Sequence, residues 1–370
     1  MAGARMNADD LDHMRHALGL AARGLGEVAP NPAVGCVIVK DGVVVGRGRT
    51  AKGGRPHAET QALAQAGAAA RGATAYVTLE PCSHHGHTPP CAKSLIDAGI
   101  ARAVVAVGDP DPRVNGEGIA WMKQAGVTVD VGLCGAEAAD LNAGFFLKVQ
   151  HQRPLVTLKL AQSLDGRIAT ATGESQWITS EPARAYGHLL RARHDAILAG
   201  INTVLADDPM LTCRLPGREG RKPLRVILDT RLRLTEWSKL AQSAAEHPTL
   251  VYTTAAIDKG GALEACGVQI MRVAKDAAGR PGIDAVLADL AGRGITRVLV
   301  EGGAAVHASF LNAAKADRLA VFSAPIVLGG AGLSAVDALA ALSLSEAPQF
   351  VMTARQSFGP DLLVSYARKD

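Results

Sequence analysis

His57-Ala58-Glu59, followed downstream by Pro81-Cys82 and then Cys91, is the group of residues in this chain best suited to chemistry. One imidazole and two thiolates can bind zinc through three protein ligands and leave the fourth position to water, as a catalytic site requires. Two thiolates offset the charge of the ion, yet the ion still lowers the pKa of its water from ~15.7 towards roughly 7. Glu59 falls two residues after His57, on the predicted first turn of one helix. There its carboxylate can take the water proton and deliver it to a departing amine, which hydrolytic deamination needs.

The general zinc-deaminase signature is H-x-E followed by P-C-x-x-C. Here the eight residues SHHGHTPP, instead of two, separate Cys82 from Cys91. That insert has to loop out and return Cys91 to the metal, with Pro89 and Pro90 stiffening the return, and it can also set polar groups beside a substrate. Two other readings stay open. The zinc could be structural, which would leave Glu59 unexplained, or His84, His85 or His87 could replace one of the three ligands, since a loop containing glycine can aim any of them.

Positioning these residues takes a scaffold, and the pattern supplies one. Leu11, Met14, Leu18 and Ala21 recur at three- and four-residue steps, predicting an amphipathic helix over 10–22 behind an Asn/Asp cap. AVGCVIV and VVVGRGR around KDG predict a hairpin, and Asn31-Pro32 before it reads as a turn. The helix HAETQALAQAGAAA, the strand AYVTLE, the helix CAKSLIDAGI, the strand RAVVAVG, the helix GIAWMKQAG and the strand VTVDVG follow. This order predicts a layered α/β domain over 1–148. At KVQHQRP the pattern breaks, and a second α/β domain is expected over 153–370, with a largely parallel sheet and late antiparallel strands.

Within that second half, Glu301-Gly302-Gly303-Ala304 ends an apolar strand and opens a helix, so backbone N–H groups there can approach a phosphate closely. The same Gly-Gly also serves as a plain strand-to-helix turn. A dinucleotide fingerprint is missing, because too little chain follows Gly330-Ala331-Gly332 to build the rest of the unit. Lys159 and Asp165 are polar residues at the end of an apolar strand, and Asp165-Gly166 reads equally well as a turn.

Composition narrows the partners. With 48% hydrophobic and 20% charged residues the 370-residue chain is globular, and a net charge of +4 without a Lys/Arg run favours small anionic ligands over a polynucleotide. Aromatic residues at 4% leave little for stacking bases. No secretion signal is evident at the N-terminus and no long apolar run spans a membrane. Cys36, Cys134, Cys213 and Cys266 lack a disulfide spacing, so core-filling thiols in a cytoplasmic protein are expected.

PNPAVGCVIVKDG, PHAE, GATAYVTLEPCSHHGHTPPC and GDPDPRVNGEGI resemble the deaminase half of the bifunctional riboflavin-biosynthesis deaminase/reductases. TLKLAQSLDGRIAT, GESQWITS, TVLADDPMLTCRLP, VILDT and VEGGAAVHASF resemble the reductase half, so the resemblance covers nearly the whole chain in order. It implies a cytidine-deaminase-like three-layer α/β/α domain, then a dihydrofolate-reductase-like α/β domain, in a homo-oligomer. The first would remove the 2-amino group of 2,5-diamino-6-(5-phosphoribosylamino)pyrimidin-4-one, and the second would use NADPH to reduce the ribosyl group of the resulting uracil to ribityl. By matched position, His57, Cys82 and Cys91 would be the zinc ligands, Glu59 the proton donor and Asn31 a substrate contact. Ala161, Trp177, Thr203, Asp207, Thr230 and Gly303 would lie along NADPH. Ser175, Arg191, Leu211, Arg214 and Glu301 would lie along the second substrate, with the two arginines suited to its phosphate. Lys159 could deliver a proton to the opening sugar. One departure stands out: where the family usually carries Lys or Arg before Thr88, this chain has His87, which would hold phosphate only while protonated.

Overall fold

The structure, a computed structural model, describes residues 7–84, 89–218, 220–256, 260–341 and 343–369. The chain folds as two compact units, Met1–Arg153 and Pro154–Asp370.

In the first unit the order is α1 (Ala8–Ala22), β1 (Gly35–Lys40), β2 (Val43–Arg49), α2 (Ala58–Ala66), β3 (Thr74–Val77), α3 (Cys91–Asp97), β4 (Arg102–Val105), α4 (Glu117–Gln124), β5 (Thr128–Val131), α5 (Gly135–Leu141) and α6 (Ala143–His151). The five strands form one sheet in the order β2-β1-β3-β4-β5, antiparallel on either side of β1 and parallel from β3 onwards. Period-two alternation sorts the core. Cys36, Ile38, Ala75 and Val77 pack under α2, α3 and α4, whereas Val37, Val39, Tyr76 and Val104 pack under α1 and α5. The three-layer α/β/α expectation is met.

Two features seat α1 and α2. The Asn7 side chain accepts from Asp10 N and the Asp10 side chain from Asn7 N, a reciprocal cap on α1. Buried Asp10 then reaches Arg102 at 2.7 Å and Tyr76 at 2.7 Å, pinning the helix to the sheet. At α2 the sheet comes so close that a Cβ on Gly48 would collide with Ala58 O. We expect Gly48→Ala to cost about 1–3 kcal/mol through overpacking, read as a lower denaturation midpoint, and to reduce bound zinc because Ala58 lies between His57 and Glu59.

The second unit carries β6 (Leu155–Ser163), β7 (Arg167–Ala169), α7 (Glu181–Ala192), β8 (Ala196–Gly200), α8 (Ile201–Asp207), β9 (Leu224–Leu228), α9 (Lys239–Gln242), β10 (Thr249–Thr253), α10 (Gly261–Ala265), β11 (Gln269–Arg272), α11 (Ile283–Gly292), β12 (Arg297–Gly302), α12 (Ala304–Asn312), β13 (Arg318–Ala324), β14 (Leu333–Ser334), β15 (Phe350–Phe358) and β16 (Asp361–Arg368). Nine of these strands make a sheet in the order β11-β10-β9-β8-β12-β6-β13-β16-β15. It is parallel through β13 and antiparallel at β16 and β15, as expected. Leu158, Leu198, Val226 and Val300 face α11 and α12, and Ile197, Ile227 and Val251 face α9 and α10.

His194, just after α7, is buried between Leu190 O at 2.7 Å and Thr157 Oγ1 at 3.0 Å. Burial, with Arg297 nearby, holds it down to about 3, far below the ordinary imidazole value. Because the folded value is depressed, the neutral ring's contribution is fully present above about pH 6.5 and is lost as pH falls towards 3. Between about pH 7.5 and about pH 5 the unmodified chain should lose about 2 kcal/mol more than His194→Gln; parallel denaturation curves at the two pH values would contradict this.

The structure departs from the sequence reading at several elements. AYVTLE is strand only to Val77; Thr78 and Glu80 leave the ladder to bond Gly35 and Val107, and the chain then delivers Cys82. Strand β13 stops at Ala324 because Pro325 offers no N–H. Helices α5, α6, α8, α9 and α10 and strands β7, β14 and β15 go unread in the sequence. Helix α6 runs through Lys148 to His151, beyond the break expected there.

Candidate functional site

In the first unit three elements converge on one point. His57 is the residue before α2, Glu59 lies in that helix's first turn, and Cys91 opens α3, while Cys82 sits in the loop after β3. His57 Nδ1 is 3.3 Å from Cys91 Sγ and 3.7 Å from Cys82 Sγ, and Cys91 N donates to Cys82 Sγ at 3.4 Å. One ligand atom from each of the three residues falls within 4.8 Å of the others, and no other group of this kind occurs among the described residues. One nitrogen and two sulfurs so gathered fit zinc. His84 lines the adjoining cleft outside this cluster, with its Nδ1 buried and unpartnered, and His85 and His87 lie outside the described residues.

Electrostatics at the site follow from burial and short contacts. The Cys91 thiol and the His57 imidazole hydrogen-bond to Cys82 and outweigh its burial, bringing its thiol down to about 4. Cys91 is pushed strongly up by that same bond to Cys82 and by burial. Glu59 is only 3% exposed. Burial, then the Cys82 thiolate, raise its carboxyl to about 7.

Asn31 lines the same cleft as His57, Glu59 and Cys82. The sequence reading passed over several of its other walls. Glu80 is buried and accepts from Asp109 N at 3.2 Å, Gly116 N at 3.0 Å and Ile119 N at 3.2 Å, so it folds the loop between β4 and α4 against the metal loop. Asp109, Asp111, Arg113 and Arg55 also face the cleft. Burial, with Asp111 and Glu80 nearby, pushes Asp109 up to about 6. The only sequence signal was the polar run GDPDPRVNGEG, whose side chains gave no periodicity to sort by.

In the second unit most candidates come from the C-terminal ends of parallel strands, where open α/β sheets bind ligands. Ala161 lies near the end of β6, Thr203 follows β8, Thr230 follows β9, Glu301 lies at the end of β12 and Gly303 follows it, whereas Lys159 stands in the middle of β6, because the ladder with β13 carries the strand on to Ser163. Arg191 on α7 grips Glu301 with Nε to Oε1 at 2.6 Å and Nη2 to Oε2 at 2.8 Å, and gives Nη1 to Thr212 O at 2.8 Å. Burial opposes the Glu301 charge, but Arg191, with Lys159 and His188, holds its carboxyl at about 2. Lys159 is lowered by burial, with Glu301 working against the shift, and its Nζ stands 5.8 Å from the Phe322 ring centre.

The two arginines expected at a phosphate differ. Arg191 is committed to Glu301, whereas the Arg214 side chain is exposed and free of partners among the described residues. His188, absent from the sequence reading, accepts from Arg214 N at 3.2 Å and is held down to about 4 by burial and by Arg191 and Arg214. Leu211 is buried with φ +47°, turning the loop between them. Ser175 is half-buried, Asp207 is exposed, and Trp177 is 66% exposed with Arg184 stacked 4.6 Å from its ring centre. Thr230 O accepts from Thr253 and Thr254.

A nicotinamide dinucleotide fits this rim on one observation. Gly303 has φ +87° and immediately precedes α12, and a Cβ on Gly302 would press on Thr203. Bare backbone beside a helix start is what a phosphate needs.

Comparison with known proteins agrees with this division. Residues 7–107 match the family described as the cytidine and deoxycytidylate deaminase zinc-binding region, and residues 154–364 match the RibD C-terminal domain. Fold and site thus define a zinc-dependent deaminase joined to an NADPH-dependent reductase. The chain is 43% identical to the riboflavin biosynthesis protein RibD of Aquifex aeolicus, over 97% of this chain and 98% of that one, and 42% identical to RibD of Escherichia coli, over 95% and 97%. Among solved structures, RibD of Acinetobacter baumannii (form 1) superposes with a TM-score of 0.87 at 38% identity, covering 98% of this chain and 99% of that one. A Thermotoga maritima protein, described as a diaminohydroxyphosphoribosylaminopyrimidine deaminase/5-amino-6-(5-phosphoribosylamino)uracil reductase, superposes at 0.86 with 34% identity and the same coverage. The chain belongs to the RibD family of bifunctional riboflavin-biosynthesis enzymes. No helix among the described residues is long and apolar enough to cross a membrane.

Proposed function

We propose that this chain deaminates 2,5-diamino-6-(5-phosphoribosylamino)pyrimidin-4-one in residues 1–148, extended by the last turn of α6, and reduces the ribosyl group of the resulting uracil in residues 153–370. The observation that carries the reading is the His57, Cys82 and Cys91 donor set within 4.8 Å, with Glu59 buried on the same first turn as the imidazole. Zinc held by these three residues would supply an acidified water. Glu59 would take one proton from that water as its oxygen bonds to C2, and pass it to the 2-amino group, whose C–N bond breaks to release ammonia. Asn31, which lines the same cleft, orients the base.

In the second unit NADPH supplies the hydride, and the protein supplies position and dryness. Ala161, Trp177, Thr203, Asp207, Thr230 and Gly303 flank the cofactor; Ser175, Leu211, Arg214 and Glu301 flank the sugar phosphate. Arg191 acts through Glu301, fixing its carboxylate. Lys159, with its proton loosened by burial, delivers a proton to the sugar oxygen as the ring opens.

Six free cysteines support a reducing, cytoplasmic setting. Strand β15, at the sheet edge with Val351 and Met352 exposed, supports a homo-oligomer, which sedimentation of the purified chain tests. The activity is tested in one tube: zinc-loaded protein, the diaminopyrimidine ribosyl phosphate and NADPH, with ammonia and NADPH followed together. Ammonia release followed by NADPH loss is expected. Ammonia alone would overturn the reductase reading, and NADPH loss without ammonia would overturn the deaminase reading.

A further inference from the structure

The cleft beside His57 and Glu59 carries two guanidinium groups, Arg55 and Arg113, and their situations differ. Arg113 is spent on Asp111: Nε lies 3.0 and 3.1 Å from its two oxygens and Nη2 2.6 Å from one of them. Arg55 is partly buried and has no hydrogen-bond or ion-pair partner among the described residues. Yet Glu59, Glu80, Asp109 and Asp111 line the same cleft, and Arg55 pairs with none of them. Glu80 is occupied by three backbone N–H groups and Asp111 by Arg113. A partly buried guanidinium on a cleft wall, with no protein partner, is open to an anion that arrives from outside.

Arg55 is also anchored. Gly54 packs against the Asn31 side chain, and His57, two residues on, faces both sulfurs. Two extended residues span at most about 7 Å, so Arg55 is tied that closely to the metal-binding imidazole.

We propose that Arg55 binds the phosphate of the deaminase substrate. The inference rests on the ribosyl-phosphate reading of this site and adds the residue that selects for the phosphate. A guanidinium meets a phosphate with two parallel charged hydrogen bonds, and it keeps its charge throughout the neutral range where an imidazole loses it. Seated by its phosphate at Arg55, the substrate turns its base inwards past Asn31 towards Glu59.

The test uses the full-length zinc-loaded chain and its Arg55→Gln and Arg55→Lys forms. Ammonia release is measured from the diaminopyrimidine ribosyl phosphate and from the same compound lacking the phosphate. Arg55→Gln should lower kcat/KM for the phosphorylated compound about 10- to 100-fold, through KM rather than kcat. It should leave kcat/KM for the phosphate-free compound within about twofold, and Arg55→Lys should recover part of the loss as a point charge. Zinc content and NADPH oxidation with supplied deaminated intermediate should not change, which separates the effect from misfolding. An unchanged kcat/KM in Arg55→Gln overturns the inference, as does an equal fall for both compounds. If the unmodified chain releases no ammonia from either compound, the substrate reading itself fails and the inference falls with it.

Discussion

Glu59→Gln is expected to cut ammonia release about 10²- to 10⁴-fold while zinc stays bound and NADPH is still oxidised when the deaminated intermediate is supplied. Glutamine keeps the size of the side chain in a position that is only 3% exposed, so α2 and the packing beneath it should survive. What it loses is the ability to hold a proton between the water and the leaving amine. The metal should stay because the clustered donors are His57, Cys82 and Cys91, and a carboxylate is not among them. Zinc analysis and ammonia release on one preparation decide the matter. Lost zinc would make Glu59 a ligand. Near-normal ammonia release would move the proton traffic elsewhere on the cleft wall, where Asp109 is the buried carboxyl raised by its surroundings.

Much of this architecture was legible because its signals are local. His57, Glu59, Cys82 and Cys91 have residue types with few other uses in combination, and the three ligands do meet within 4.8 Å. Buried parallel strands announce themselves by apolar runs, unbroken in β8 and reduced to Val298-Leu299-Val300 in β12. What escaped depends on distance along the chain. Strand β15 is exposed along almost its whole length, so no alternation marks it, and only its pairing with β16 defines it. Helices α5 and α6 meet at Asn142, whose side chain bonds both N and O of Ala33, more than a hundred residues earlier. Arg225 shows the same limit in the core. It is fully buried in the second unit, and its partners are Met210 O, Ser243 Oγ, Leu240 O, His247 O and Thr249 Oγ1, with no carboxylate among them. Nothing in PLRVILD distinguishes that arginine from a surface one.

Removing the carboxylate of the Arg191–Glu301 pair should be the most costly single change in the second unit. Glu301→Gln is expected to destabilise the reductase transition of the full-length chain by about 3–5 kcal/mol, the range for breaking a buried ion pair from one side. Only 16% of the Arg191 side chain and 8% of the Glu301 side chain are exposed, and the contact is bidentate, so surface screening does not soften the loss. The neighbourhood makes it worse, because Glu301 is the anion that faces Lys159, Arg191 and His188 together. Without it, Arg191 and Lys159 repel each other uncompensated, and Lys159 is drawn further towards its neutral form. The double change Arg191→Met with Glu301→Leu takes both charges out at once and should recover most of the lost stability. NADPH oxidation should not return with it, because the carboxylate at the end of β12 is gone in both forms. A cost below about 1 kcal/mol for Glu301→Gln would mean that the pair behaves as a surface contact. Recovery of activity along with stability would mean that Glu301 serves the fold of the reductase unit and takes no part at its substrate.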